Sequence, residues 1–89
     1  MSLIVEENML TVRGDKIDMF KAIEMKKILE ALLGEGCRRI TVSLIGIKEM
    51  SGTAFQVLST IGRKFDDFRI ISSDRELKER LAKSISHCF

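Results

Sequence analysis

The side chain with the clearest chemical potential in this 89-residue sequence is Ser51, which stands directly before Gly52. A helix is predicted to begin at Gly52, so the Ser51 hydroxyl occupies the position that caps the first free backbone N–H groups of a helix. The partial positive charge at a helix N-terminus also tolerates a phosphate. The residues therefore leave two interpretations open: a cap that stabilises the helix by roughly 1 kcal/mol, or a phosphorylation site.

Other reactive side chains are few and scattered. The single histidine, His87, precedes Cys88, and this pair could bind a metal only with ligands from elsewhere in the chain. Cys37 and Cys88 lack Cys-x-x-Cys spacing, which favours two free thiols in a reducing compartment. Gly34-Glu35-Gly36 follows a predicted helix rather than a strand, so it is interpreted as a helix end and not as a phosphate loop. With no nucleophile–base pair recognisable either, we expect no enzymatic activity, no cofactor and no bound metal.

The composition is that of an ordinary globular domain, with 45% hydrophobic and 31% charged residues and a net charge of +2. The length allows one hydrophobic core, so a single domain over residues 1–89 is expected. Basic residues are interspersed with acidic ones and form no stripe with interleaved aromatic side chains, which argues against nucleic-acid binding. No signal peptide or membrane span is recognisable, so we expect a cytoplasmic protein without membrane contact.

Apolar patterning predicts four strands, at residues 3–5, 9–12, 40–45 and 68–71. The first two are expected to form a hairpin, with Asn8 as the turn residue that tolerates positive φ. Helices are predicted over 19–33 and 52–65 and after residue 73.

Short polar residues and a glycine mark the ends of these helices. Asp18 is expected to cap the first helix and Gly34 to end it in the left-handed conformation. Ser73 is expected to cap the third helix in a capping box with Glu76. The buried faces are predicted at three-to-four spacing, and they comprise Ala22, Met25, Leu29, Leu32, Leu33, Ala54, Leu58, Ile61, Phe65, Leu77, Leu81 and Ile85.

The predicted fold class is α/β: a single small domain with an about four-stranded mixed β-sheet and three helices mainly on one face, in the order β-β-α-β-α-β-α. Each strand–helix–strand crossover is expected to be right-handed and to join parallel strands. The opposite face of the sheet is then only partly covered and is a candidate partner surface. A monomer and a weak homodimer both fit this arrangement.

An ordered set of four motifs resembles the STAS domains, the sulphate-transporter and anti-sigma-factor-antagonist family. Gly14-Asp15-Lys16-Ile17-Asp18 before a helix resembles the family's Gly-x-Leu-Asp opening, and residues 40–44 resemble its central strand. Met50-Ser51-Gly52-Thr53-Ala54 resembles the end of its switch motif. The strand 68–71 and the Ser-capped helix with Leu77 and Leu81 follow in the same order, so the resemblance covers residues 3–85.

This resemblance implies a regulatory protein-binding module rather than an enzyme. Bacterial members bind an anti-sigma factor that is also a Ser/Thr kinase, which frees the sigma factor for transcription. The kinase phosphorylates a serine before the switch glycine, which weakens binding, and a Ser/Thr phosphatase resets it. By position that serine is Ser51, with Thr53 as the alternative acceptor. The implied partner-binding residues are Lys48, Glu49, Met50, Ser51, Gly52, Thr53, Gln56 and Asp18.

One alternative within the same family stays open. The segment 47–52 lacks the family's Asp-Ser pair, and Ser43 stands where members often carry Asp. A STAS-like scaffold that is not phosphorylated, and that docks constitutively in a larger assembly or a transport complex, is the second interpretation. A phosphocarrier or small enzyme is disfavoured, because the only histidine is His87 near the end of the chain.

Overall fold

The computed structural model describes residues 3–84, and it confirms the predicted small α/β domain with three helices and a mixed four-stranded sheet. The elements are, in chain order, β1 Leu3–Glu6, β2 Met9–Val12, β3 Lys16–Ile17, α1 Met19–Gly34, β4 Arg39–Ser43, β5 Glu49–Met50, α2 Gly52–Gly62, β6 Asp67–Ile71 and α3 Arg75–Ser84. The sheet has the order β1-β2-β4-β6, with β1 antiparallel to β2 and the other neighbours parallel. Two-residue strands β3 and β5 form a separate parallel pair that the sequence patterning did not predict.

The helices cover one face of the four-stranded sheet. Both crossovers, β2–α1–β4 and β4–α2–β6, step across the sheet in the same direction, and right-handed crossovers of that kind place their helices on the same side. Helix α3 packs beside α2, where the Arg80 guanidinium lies 4.8 Å from the centre of the Phe55 ring. One buried cluster joins sheet and helices, and it includes Leu10, Val12, Ile40, Val42, Phe68, Ile70, Met25, Leu29, Leu58, Ile61, Leu77 and Leu81.

The other face of the sheet is formed by the alternate strand residues, and we call it the open face. Its residues are Ile4, Glu6, Met9, Thr11, Arg39, Thr41, Ser43, Asp67, Arg69 and Ile71. Met9 is 39% exposed and Ile71 is 41% exposed, in contrast to the fully buried Leu10 and Val42 on the helix-covered face. The predicted one-sided arrangement of helices therefore leaves this surface accessible among the described residues.

Two of the predicted turn residues are wrong by one or two positions. The left-handed residue of the hairpin turn is Glu7, with φ 52°, rather than Asn8. Helix α1 ends in a Schellman motif, in which Gly36 N–H donates to the Leu33 carbonyl and Cys37 N–H to the Leu32 carbonyl, both at 3.0 Å. Gly36 and not Gly34 is therefore the left-handed residue. The reason is that the helix includes Gly34 and is capped by Glu35, whereas its apolar pattern ends at Leu33.

The predicted bounds of α2 and the predicted cap of α3 also need correction. Helix α2 ends at Gly62, and Phe65 is buried beyond the helix, where its ring stacks on Phe68 with centroids 5.8 Å apart. The cap of α3 is Asp74, whose carboxylate accepts from Leu77 N–H at 2.8 Å. Ser73 instead accepts a hydrogen bond from a neighbouring loop, so the expected capping box does not form.

No helix within residues 3–84 is long and apolar enough to cross a bilayer. Three residues named from the sequence, Ile85, His87 and Cys88, lie outside the described residues.

Candidate partner-binding site

The predicted site residues gather at one edge of the sheet. Strands β2, β4 and β6 are parallel, so the loops that follow their carboxyl ends meet at the same edge. These loops are 13–18, 44–51 and 72–74, and each leads directly into a helix. We call them together the carboxyl edge. In open parallel sheets, binding sites form preferentially at this edge.

Backbone hydrogen bonds between residues distant in sequence tie the loops of the carboxyl edge together. The Asp15 carbonyl accepts from Lys48 N–H at 2.7 Å and from Glu49 N–H at 3.2 Å. On the other side, Gly46 N–H donates to the Ser73 hydroxyl oxygen at 3.2 Å. Each loop therefore has its position fixed by its neighbour, and all three form one connected surface.

The short pair β3–β5 sets the position of Ser51. Lys16 pairs with Glu49 and Ile17 with Met50, and the Ile17 carbonyl then accepts from Ser51 N–H at 2.9 Å. Because strand residues alternate, Glu49 points to solvent while Met50 is buried at 7% exposure. Met50 anchors the loop from below, and the exposed side chains beside it are free for contact.

Ser51 is the N-cap of α2, in agreement with the interpretation drawn from its position. Its backbone is extended, with φ −67° and ψ 160°, and its hydroxyl oxygen accepts from Ala54 N–H at 3.2 Å. The residue is half-buried, so part of the side chain reaches the surface. Phosphorylation of this hydroxyl stays a prediction, and the N–H groups at the start of α2 are oriented to receive an anion there.

All three helices begin at the carboxyl edge with a capped N-terminus. Asp18 accepts from Lys21 N–H at 2.8 Å at the start of α1, and Asp74 plays the same part for α3. Two of these caps are carboxylates, which already place a negative charge against the positive end of the helix dipole. Ser51 is the uncharged cap among the three. A phosphate on Ser51 would therefore add a negative charge at the one helix N-terminus of this edge whose cap carries none.

The other predicted partner-binding residues are placed around Ser51. Exposed positions are Lys48, Glu49, Gly52, Gln56 and Asp18, and Thr53 is half-buried. Asp18 belongs to this group because the pairing of β3 with β5 joins loop 13–18, which contains Asp18, to loop 44–51, which contains Ser51.

Lys21, on α1, has a structural part that the sequence did not reveal. Its Nζ donates to the carbonyls of Arg13 at 3.2 Å and Lys16 at 3.3 Å, so this side chain holds loop 13–18 against α1. Gly14 lies beneath it with φ +113°, and a Cβ atom there would be 3.2 Å from that Nζ. A lysine one turn after a glycine-containing loop was the available signal, but lysines on helix surfaces are too common for it to be specific.

Large apolar side chains are exposed at and beside the carboxyl edge, which sequence patterning also missed. Phe20 is 73% exposed, Met19 51% and Ile45 59%. Met19 and Phe20 lie in the first turn of α1. They follow Ile17 by two and three residues, and the Ile17 carbonyl accepts a hydrogen bond from Ser51 N–H. Ile23, one turn further along α1, is 40% exposed. Exposed aromatic and apolar groups beside polar ones are typical of protein-binding surfaces.

Within residues 3–84 no group of three or more His, Cys, Asp or Glu side chains is arranged to hold a metal ion. Cys37 is a half-buried free thiol at the opposite edge of the sheet, with its Sγ 3.1 Å from the Arg39 carbonyl oxygen. It has no contact with the carboxyl edge that would connect it to Ser51.

Comparison with models of known protein families finds none that matches this chain, and comparison with curated proteins likewise finds no match. The resemblance to STAS domains therefore rests on the motifs quoted above.

Proposed function

We propose that this protein is a regulatory binding module of the anti-sigma-factor-antagonist type. In this proposal the carboxyl edge binds an anti-sigma factor that is a Ser/Thr kinase, and binding releases a sigma factor. Phosphorylation of Ser51 weakens the complex, and a Ser/Thr phosphatase restores it. The protein acts in the cytoplasm and carries out no catalysis itself.

The observation that carries the proposal is the placement of Ser51. Its hydroxyl oxygen lies at the N-terminus of α2 and its backbone is bonded to loop 13–18, so the two segments that resemble STAS motifs share one surface. A phosphate adds about −1.5 to −2 charge at such a position. The N–H groups at the start of α2 would attract this phosphate. Together with the carboxylate of Glu49, it would make the surface that faces the partner more negative.

The exposed apolar groups provide the attractive part of the proposed interface. Phe20 and Met19 offer apolar area on a rigid helix. The exposed charged side chains of Lys48 and Glu49 lie on loop 44–51, which the β3–β5 pairing joins to the segment before that helix. An apolar centre with a polar rim is the usual composition of a protein–protein interface. A charge change at Ser51 would then alter affinity without unfolding the surface that makes the contact.

A second candidate function is the constitutive scaffold, and one observation favours it. The Ser51 oxygen is half-buried and already accepts a hydrogen bond from Ala54 N–H. A kinase must reach that hydroxyl, and a residue engaged as a cap is less accessible than a serine on a free loop. In the scaffold the same surface binds a partner, and Ser51 acts only as a helix cap.

An affinity purification from the native host tests the proposal. The protein is used as bait, bound proteins are identified by mass spectrometry, and the bait is mapped for phosphate. The proposal predicts a kinase-type anti-sigma factor among the partners and one phosphate, on Ser51. Incubation of the purified pair with ATP should then raise the intact mass of the bait by one phosphate, and the Ser51→Asn variant should stay unmodified. A stable partner without kinase activity, together with an unmodified bait, favours the scaffold.

A further inference from the structure

The open face of the sheet has an arrangement of side chains that is complementary to itself. The strand pairing aligns two rows of four residues across β1, β2, β4 and β6. One row reads Glu6, Met9, Thr41, Arg69, and the row nearer the carboxyl edge reads Ile4, Thr11, Ser43, Ile71. The centre holds apolar and small uncharged groups, whereas Glu6 and Arg69 stand at opposite edges of the sheet.

This distribution differs from that of a solvated sheet face. Thr11 and Thr41 are half-buried and Ser43 is 7% exposed. The charged residues lie on the outer strands or, like Arg39 of β4, at the amino end of the face, and Arg69 Nε contacts Asp67 Oδ1 at 3.2 Å. An uncharged centre with a charged rim resembles an interface core with its surround.

We infer that the open face binds a second copy of this chain, about a two-fold axis that runs parallel to the strands between β2 and β4. That axis places β1 of one copy opposite β6 of the other, and β2 opposite β4. Glu6 of each copy then faces Arg69 of the other, and Ile4 faces Ile71. The charge pairs form twice and the apolar pairs form twice, as an isologous interface requires.

The geometry also fits the rules for stacked sheets. Facing sheets pack about 10 Å apart with their strands nearly aligned. The eight residues of the two rows give a small interface, at the low end of the range for specific complexes, so the dimer is weak and its population depends on concentration.

Such a dimer has a consequence for binding. Because the axis is parallel to the strands, the strands of both copies run in the same direction and both carboxyl edges lie at the same end of the dimer. The dimer therefore presents two copies of the proposed partner site side by side, which favours a partner that is itself dimeric through increased effective concentration. This inference goes beyond the proposed function and does not depend on it.

Complementary charge reversals test the axis directly. Glu6→Arg places Arg opposite Arg69 at both contacts, and Arg69→Glu places Glu opposite Glu6 at both. Each variant alone should raise the dimer Kd by at least about tenfold, which is about 1.4 kcal/mol. An equimolar mixture of the two variants should form a heterodimer with both contacts complementary, with a Kd within about threefold of the wild-type value. Sedimentation velocity at concentrations from about 1 to 1,000 µM measures all four samples.

A monomeric wild-type protein at the highest concentration overturns the inference. It is also overturned if either single variant dimerises like the wild type, or if the mixture stays monomeric while both variants are folded by circular dichroism. Thr41→Glu, near the axis, provides a second route if a rim variant does not fold, since it should also give a monomer. The proposed function is tested separately, by measuring whether the monomeric variants still bind the partner at one-to-one stoichiometry. Failure of the dimer and failure of partner binding are therefore distinct results.

Discussion

The two ends of the sheet are closed by different kinds of contact. At the amino end, the connections 35–38 and 63–66 are shaped mainly by hydrogen bonds between residues close in sequence, such as Gly36 N–H to the Leu33 carbonyl and Phe65 N–H to the Gly62 carbonyl. At the carboxyl edge, the bonds join loops from distant parts of the chain, as between Ser51 and Ile17. The amino end also has bonds between distant residues, from Asp66 N–H and Asp67 N–H to the Arg38 carbonyl, but local turns predominate there. The carboxyl edge depends mainly on contacts between distant loops.

The two ends of the sheet also differ in the side chains that they expose to solvent. The amino end has an open groove of about 470 Å³ whose lining includes the charged Glu7, Glu35, Arg38 and Arg39. Large apolar side chains are exposed at and beside the carboxyl edge, and Phe20 at the start of α1 is the most accessible of them. Exposed charged groups are well hydrated, whereas exposed apolar side chains gain free energy when a partner covers them. The comparison favours the carboxyl edge as the recognition surface.

The largest expected effect tests how tightly the amino end is packed. A Cβ atom at Gly62 would lie 2.7 Å from Cδ2 of the Phe68 ring, so Gly62→Ala should lower the free energy of unfolding by about 2–3 kcal/mol. Gly34→Ala is the matched control, because nothing lies within 4 Å of its Cβ position and it should gain about 0.5–1 kcal/mol. Urea unfolding of both variants measures this, and a neutral Gly62→Ala would contradict the close helix–strand contact.

A pair of glycines separates stability from binding at the two ends. Gly14 at the carboxyl edge has φ +113° and Gly36 at the amino end has φ +92°, so alanine at either position should cost about 1–2 kcal/mol of unfolding free energy. Gly14→Ala should also weaken partner binding, because the new Cβ displaces the Lys21 ammonium from loop 13–18. Gly36→Ala should leave binding unchanged. Equal effects of the two variants on binding would remove the distinction between the ends.

Phe20 tests the apolar part of the carboxyl edge. Because it is 73% exposed, Phe20→Gln should change the unfolding free energy by less than about 0.5 kcal/mol. Affinity for the partner should nevertheless fall by at least about tenfold, or roughly 1.4 kcal/mol, since aromatic side chains often dominate interfaces. Val5→Thr, at an exposed apolar residue of β1, is the control and should leave affinity unchanged. Calorimetric titration of both variants gives the comparison, and unaltered affinity for Phe20→Gln would place the interface elsewhere.

The smallest effect is expected at the hairpin turn of the amino end. Glu7 has φ 52°, a conformation that costs a residue with a Cβ roughly 1–2 kcal/mol. Glu7→Gly should therefore stabilise the protein by about 0.5–1 kcal/mol after the entropy cost of glycine is subtracted. Thermal unfolding with Asn8→Gly as the control checks this, and an equal gain from both changes would mean that the strain is not localised at Glu7.

The fold could be predicted because its signals are local. Three-to-four spacing of Ala22, Met25 and Leu29 gave the buried side of α1, and the β-branched segment around Val42 gave a central strand. The errors in this part are small shifts at the ends of elements. Gly34 and Gly36 have the same local signature, and only the Schellman hydrogen bonds of the folded chain decide between them.

The candidate site could be predicted only in part, because its geometry is not local. Ser51 was identified as a cap from its position before Gly52, and the structure has that cap. The strands β3 and β5 are two residues long, too short for any periodicity, and they exist because the Asp15 and Ile17 carbonyls meet a distant loop. The exposure of Phe20 was equally hidden, since an aromatic residue at a helix start is usually assigned to the core.

The most direct test of the account compares two substitutions of the same size at Ser51. Asp and Asn both cap helices well, so Ser51→Asp and Ser51→Asn should preserve α2 and differ only by one negative charge. Titration calorimetry with the anti-sigma factor identified by affinity purification should give Ser51→Asp an affinity at least about tenfold lower than that of Ser51→Asn, a difference of about 1.4 kcal/mol. Ser51→Asn should bind like the wild type. Equal affinities of the two variants would contradict a charge-operated switch at the carboxyl edge.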